Sequence, residues 1–244
     1  MNMDTSYLAQ INLFSGAINP KNWLNCDGQN LPAFDPYGKL YNLFGGMFGG
    51  NGIENFCMPN IPNADKVRYM INSQGNDPKN NPSTGVVGEI CLFFSKNIPA
   101  NWIKCDGAQL NISDYAELHQ LIGGNFGHSS SSFSLPSLPA PLEQFTYAIC
   151  HEGSSPWGTG GLSNITFEGT IGAIQLFPTP KGFQSNTWAI CNGQSLSMNS
   201  NELLYSVIGP GWGATGGQFN VPTIEGPAMG IDYIICTNGI FPSE

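Results

Sequence analysis

One motif written three times constrains this chain more than any other feature. Trp23-Leu24-Asn25-Cys26-Asp27-Gly28 returns as Trp102-Ile103-Lys104-Cys105-Asp106-Gly107 and again as Trp188-Ala189-Ile190-Cys191-Asn192-Gly193. The register holds on both sides of it. Leu13-Phe14, Leu92-Phe93 and Leu176-Phe177 precede the motif, and Phe56 to Pro59, Phe133 to Pro136 and Phe219 to Pro222 follow it. Each copy closes on a tyrosine segment that begins at Tyr69, Tyr147 or Tyr233. Matches this dense and in one order mark an internal repeat, which decides the fold before any single motif does. The units are expected at 1–78, 82–155 and 166–244. Their joints, Gly75 to Gly85 and Gly153 to Gly161, carry the Gly, Pro, Asn and Ser of linkers.

Each unit reads the same way. An alternating apolar segment (Gln10 to Phe14, Glu89 to Phe94, Ala173 to Phe177) predicts a strand. The Trp segment predicts a second strand running into Asp-Gly or Asn-Gly, a strong hairpin signal because a type I′ turn needs positive φ at both central residues. A short helix follows. Asp35, Ser113 and Asn199 are its expected N-caps, with Pro36 at the first helical position and Glu202 completing a capping box in the third unit. Gly45, Gly123 and Gly209 are expected to end it. Tyr37, Leu40, Tyr41 and Phe44 mark its apolar face, as do Tyr115, Leu118, His119 and Ile122 in the second unit. The predicted class is α+β and strand-rich: three tandem repeats, each with short strands, a hairpin and one short helix. A unit of roughly 80 residues buries too little surface to be stable alone. A shared core is therefore expected, with pseudo-threefold packing as the economical arrangement and a linear row of units as the alternative.

Composition narrows the function classes. Charged residues make up 10% of the 244 residues, against a usual value of about 25%. With 31 Gly, 18 Pro and abundant Asn and Ser, the surface is kept wet by turn residues instead. Disorder is excluded by 5 Trp, 8 Tyr and 15 Phe. The net charge of −9 and a single arginine, Arg68, argue against a nucleic-acid partner, which would need clustered basic residues. No apolar run approaches the roughly 20 residues of a spanning helix, so no membrane insertion is expected. The opening MNMDTSYLAQ lacks the basic and apolar regions of a signal peptide, so synthesis in the cytoplasm without a signal peptide is expected.

The chemically suggestive residues resolve into structural roles. Asp27 and Asp106 lie beside cysteines, but the third copy has Asn192, and an amide does no acid chemistry while serving a turn equally well. The seven cysteines contain no C-x-x-C. Cys105 with Cys150 and Cys191 with Cys236 could form repeated disulfides, yet Cys26 would then need a partner at Asn72. Buried free thiols are the preferred reading. The three histidines, His119, His128 and His151, form no ligand pattern, and His119 replaces Tyr41 and Tyr205 on the helix face, a core position. The Gly-rich stretches GGMFGGNG and GPGWGATGG follow a helix, the wrong end for an anion. Trp23, Trp102 and Trp188 recur in strand register and read as core. Trp212, with Phe48 and Phe126 as counterparts, reads as a loop anchor. Trp157, in a joint and without counterpart, is the candidate contact residue. No catalytic, cofactor or metal set is expected.

The repeat signature, Trp23, Cys26, Asp27, Gly28, Trp102, Cys105, Asp106, Gly107, Trp188, Cys191, Asn192 and Gly193, resembles the phage tail collar domain, which also characterises the microcystin-dependent protein family. The ending Tyr233 to Ser243, YIICTNGIFPS, is similar to that of the same family. The first unit departs in having Ala9-Gln10-Ile11 where the second has Gly88-Glu89-Ile90, units one and two depart from the final G-I-F-P-S, and the third has Asn192 where Asp is usual. The resemblance implies a non-enzymatic structural component of a phage tail or tail-like contractile injection particle, located on the virion tail or extracellular particle. It implies other tail, baseplate or fibre subunits as partners. The alternative it leaves open is a receptor- or glycan-binding module that meets a host cell surface.

Overall fold

The structure, a computed structural model, describes residues 6–16, 18–63, 67–77, 85–96, 98–157 and 165–242. The first repeat contains β1 (Ile11–Ser15), β2 (Trp23–Asn25), β3 (Asn30–Pro32), α1 (Gly38–Phe44), β4 (Asn55–Cys57) and β5 (Val67–Asn72). The second contains β6 (Ile90–Phe94), β7 (Trp102–Lys104), β8 (Gln109–Asn111), α2 (Ala116–Ile122), β9 (Ser132–Ser134) and β10 (Phe145–Cys150). The third contains β11 (Ala173–Pro178), β12 (Trp188–Ile190), β13 (Ser195–Ser197), α3 (Glu202–Ile208), β14 (Ala214–Thr215), β15 (Gln218–Asn220) and β16 (Ile231–Cys236). The two expected joints lie partly outside the described residues.

In every repeat the tyrosine strand is the middle one. β5 pairs antiparallel with β1 and β2, β10 with β6 and β7, and β16 with β11 and β12. Three such arms would be separate ribbons were it not for their first strands, which pair with one another. Ile11 faces Leu92, Ile90 faces Leu176, and Leu13 faces Ile174. Each contact joins the start of one first strand to the middle of another, and the residues are equivalent in all three. This cyclic register is pseudo-threefold closure, and it rules out the linear row. Because β1, β6 and β11 sit at the centre, they are buried along their whole length despite their alternating sequence.

Side chains repeat the cycle. Phe44 of α1 meets Phe94 of the second repeat with ring centroids 5.2 Å apart, and Phe48 stacks on Phe145 at 5.9 Å. Trp212 of the third repeat donates from Nε1 to Ser15 Oγ of the first at 3.1 Å. Two of the three loop anchors expected from sequence, Phe48 and Trp212, are thus anchors onto a neighbouring repeat. Tyr41, His119 and Tyr205 take one common place, with their rings 5.7, 5.1 and 5.2 Å from Phe56, Phe133 and Phe219.

Two local expectations fail. Asp-Gly does not close a hairpin, because the Trp strand pairs with the tyrosine strand while β3 pairs with β4, β8 with β9 and β13 with β15. The dipeptide instead turns the chain out of the large sheet into a small peripheral ribbon. Asp35, Ser113 and Asn199 are not helix caps either, and Glu202 forms no capping box. The helices start later, behind Tyr37, Tyr115 and Asn201, without side-chain caps. Short polar residues bond their own turns in competition with a helix end, as where Asn111 and Ser113 both donate to Asp114. Pro36, expected inside the helix, lies in that turn after a cis peptide bond. The helix ends fall where expected, on Gly45, Gly123 and Gly209 at positive φ.

Candidate functional site: the repeated signature and the threefold axis

The signature is a backbone junction built three times. The N–H of Cys26, Cys105 and Cys191 donates to the carbonyl of Tyr69, Tyr147 and Tyr233 at 2.9, 2.9 and 2.8 Å. Their carbonyls accept from Ile61, Leu138 and Ile224 at 2.8, 2.9 and 2.8 Å. One residue later, Asp27, Asp106 and Asn192 accept through Oδ1 from the N–H two residues on, at 3.1, 3.2 and 3.1 Å. Gly28, Gly107 and Gly193 then adopt φ of 79°, 87° and 78° and donate to Pro59, Pro136 and Pro222. The separated W-x-x-C-D/N-G and F-x-x-P motifs are therefore two sides of one junction. Carboxylate and amide do the same work there, since each is used only as an acceptor.

The cysteines fill the space behind this junction. All seven are free thiols, and six are buried; Cys57 is half-buried. Burial pushes the Cys26, Cys105 and Cys191 thiols well up, and Cys236 to about 11, so none of these four is a thiolate nucleophile at neutral pH. Trp23, Trp102 and Trp188 are buried beside them, with Trp188 Nε1 donating to the Phe167 carbonyl at 2.9 Å. Trp157 is half-buried against the core and bridges to Ile165. No cluster of metal-ligating side chains occurs among the described residues.

On the axis itself, one face of the sheet carries Tyr69, Tyr147 and Tyr233, each opposite Leu13, Leu92 or Leu176. The three phenols lie close enough together to influence one another's titration. Burial raises their pKa values, Tyr233 to about 12, and Tyr147, the most deeply placed, further still. Beneath them the strands leave a cavity of about 20 Å³, room for about one water. Its apolar lining is Ile11, Ile90, Ile174 and the three leucines.

The opposite face places different residues at equivalent positions: Asn12, Cys91 and Gln175, preceded by Gln10, Glu89 and Ala173. All the polar ones are buried. Gln10 Oε1 accepts from the Tyr7 N–H, and Glu89 Oε2 accepts in the same way from Val86, both at 3.0 Å. Gln10 Nε2 reaches Cys91 Sγ at 3.1 Å, and that thiol donates to Glu89 Oε1 at 3.4 Å. Burial raises the Glu89 pKa against the lowering effect of these donors. Gln175 lies beside Glu89 without reaching hydrogen-bond geometry, and neither end of its amide finds a partner. None of these residues was expected from sequence to form a site; Gln10 and Glu89 stood out only as a difference between the first and second units. They do not repeat, and their only signal is a polar residue inside an otherwise apolar strand.

The model of the phage tail collar domain family matches the chain three times, over residues 9–64, 88–140 and 172–228, together more than half of it. Neither a curated protein nor a solved structure matches the chain. Among the described residues, no helix is long and apolar enough to cross a membrane.

Proposed function

The chain belongs to the phage tail collar domain family, hence to structural proteins of the tail-fibre type, and from that premise we propose that it is a non-enzymatic collar, adapter or decoration protein. Its three units, taken as 1–78, 82–155 and 166–244, supply a whole threefold collar from one polypeptide. As a monomer it offers a pseudo-threefold surface to a threefold or sixfold neighbour among the tail, baseplate or fibre subunits of a phage or contractile injection particle. The observation that carries this is the cyclic pairing of β1, β6 and β11, which leaves no central strand waiting for a second chain.

Light scattering tests it directly, with a single species of 26.2 kDa expected. An obligate homotrimer would overturn the self-contained collar. Co-purification with assembled particles, at a copy number that is a third of that of a trimeric fibre protein at the same place, is the expected result in the particle. A host-surface recognition role is the second reading, and a groove peculiar to the third repeat favours it.

A further inference from the structure

The three repeats also differ where the Trp strand, the end of the tyrosine strand and the helix entry meet. In the second repeat this corner is filled: Tyr115, just before α2, packs edge-on against His151 with ring centroids 5.2 Å apart. In the first, Gln74 Nε2 donates to the Pro36 carbonyl across the same corner. In the third, the equivalents of Tyr115 and His151 are Asn201 and Thr237, and the space stays open as a groove of about 810 Å³. That volume is within the usual range of ligand sites, roughly 300–1,000 Å³. The connection from Phe177 to Trp188 is also two residues longer than its counterparts, and it brings Phe183, Gln184 and Asn186 to the rim.

The chemistry of this groove is uniform. No charged residue lines it. Lys104 and Asp106 of the second repeat are replaced here by Ile190 and Asn192. The floor is apolar, formed by Phe183, Ile190 and Leu196, all half-buried. Above it stand amides held on one side only. Asn192 Oδ1 is occupied by the Gln194 N–H, leaving Nδ2; Gln194 Nε2 is occupied by the Ile190 carbonyl, leaving Oε1; Asn201 Nδ2 is occupied by the Ser197 carbonyl, leaving Oδ1. Fixed neutral donors and acceptors over an apolar patch match a ligand with one hydrophobic C–H face and a rim of hydroxyls. An anionic ligand finds no cation here, and a cationic one no carboxylate.

We propose that this third-repeat groove is a binding site for a neutral oligosaccharide, with Phe183 under a sugar ring and Asn186, Asn192, Gln194 and Asn201 on its hydroxyls. It goes beyond the structural role and does not depend on it.

The test uses the full-length protein against an array of neutral oligosaccharides (glucans, mannans and N-acetylglucosamine oligomers), with heparin fragments as the anionic control. NMR shift mapping follows for any ligand that binds. At least one neutral glycan is expected to bind and to perturb Phe183, Asn186 and Gln194. Filling the groove with the pair used by the second repeat, Asn201→Tyr with Thr237→His, should weaken binding by at least about tenfold, which corresponds to about 1.4 kcal/mol. Asn186→Ala, at an exposed residue outside any helix or strand, keeps the test valid should the double variant misfold, and should weaken binding several-fold. The proposal is overturned if no neutral glycan on the array binds, if heparin fragments bind in preference, or if binding survives the folded variants unchanged. Burial of the groove by a neighbouring protein subunit in the particle, with no glycan bound, would overturn it equally.

Discussion

The two faces of the axis obey different rules. The tyrosine face carries the same residue three times, and the polar face carries Asn12, Cys91 and Gln175 with Gln10, Glu89 and Ala173. Three identical chains around an axis must repeat whatever they place on it. Tyrosine tolerates that, because a hydroxyl both donates and accepts and three can bond in a ring. A carboxyl does not, since three would gather like charges in a desolvated space. Here the buried carboxyl Glu89 occurs once, beside a thiol and amides. One face retains what any threefold assembly could use, and the other holds what only a single polypeptide can place on the axis.

The largest expected effects lie on the face that repeats. Leu13, Leu92 and Leu176 are equivalent and 5%, 2% and 3% exposed. Each Leu→Ala change should cost about 2–5 kcal/mol from lost transfer energy and the cavity left. Urea unfolding of the three variants should give closely similar losses. A near-silent variant would show that one arm is not closed into the centre.

The next effect separates the faces. Gln175→Met should raise stability by about 1 kcal/mol or more, because it replaces a buried amide with no partner by an apolar chain of similar length. A loss on this substitution would mean that a bound water satisfies Gln175 from the axial cavity.

On the other face, Tyr147→Phe removes the hydroxyl that faces those of Tyr69 and Tyr233 and should cost about 1 kcal/mol at neutral pH. The phenols add a pH dependence of known sign. Their folded pKa values lie above the ordinary 10.0, with Tyr233 at about 12. The unfolded chain therefore loses these protons first as pH rises. Stability from them is complete below pH 10 and falls as pH climbs towards 12, and Tyr233→Phe should flatten that fall in chemical denaturation.

How much could be read in the sequence follows from what repeats. Trp23, Trp102 and Trp188, the three Asx-Gly turns and the helix-ending glycines were legible because three copies agree. The place of the tyrosine strand between the other two was not, since pairing partners leave no mark in a strand's own residues. Asp35, Ser113 and Asn199 misled because an N-cap and a polar turn use the same short side chains. Asn12 and Gln175 were invisible for the opposite reason, and Glu89 showed only as a departure between units: they matter through their differences. The groove arises in the same way, from Asn201 and Thr237 standing where Tyr115 and His151 stand in the second repeat.

The smallest effect concerns a residue that breaks the repeat next to the polar face. Gly88 and Gly172 adopt φ of 88° and 84°, and their equivalent Ala9 adopts 62°. The conformation is fixed by one bond made three times, from Ala9 N to Asn72 O, Gly88 N to Cys150 O and Gly172 N to Cys236 O, at 2.9, 2.9 and 3.0 Å. An L-residue in this region costs about 1–2 kcal/mol, and glycine gives back about 0.5–1 kcal/mol through unfolded-chain entropy. Ala9→Gly should therefore raise stability by about 0.5–1 kcal/mol. The reverse change is not its mirror image. A methyl on Gly88 would lie 2.7 Å from Leu121 Cδ1, so Gly88→Ala should lose more than Ala9→Gly gains. If Ala9→Gly lowers the urea midpoint instead, the Ala9 methyl, 1% exposed, contributes more by packing than its backbone costs. The first repeat's departure would then be an adaptation of the same kind as Glu89 and Gln175, a residue chosen for one position on the axis and not for three.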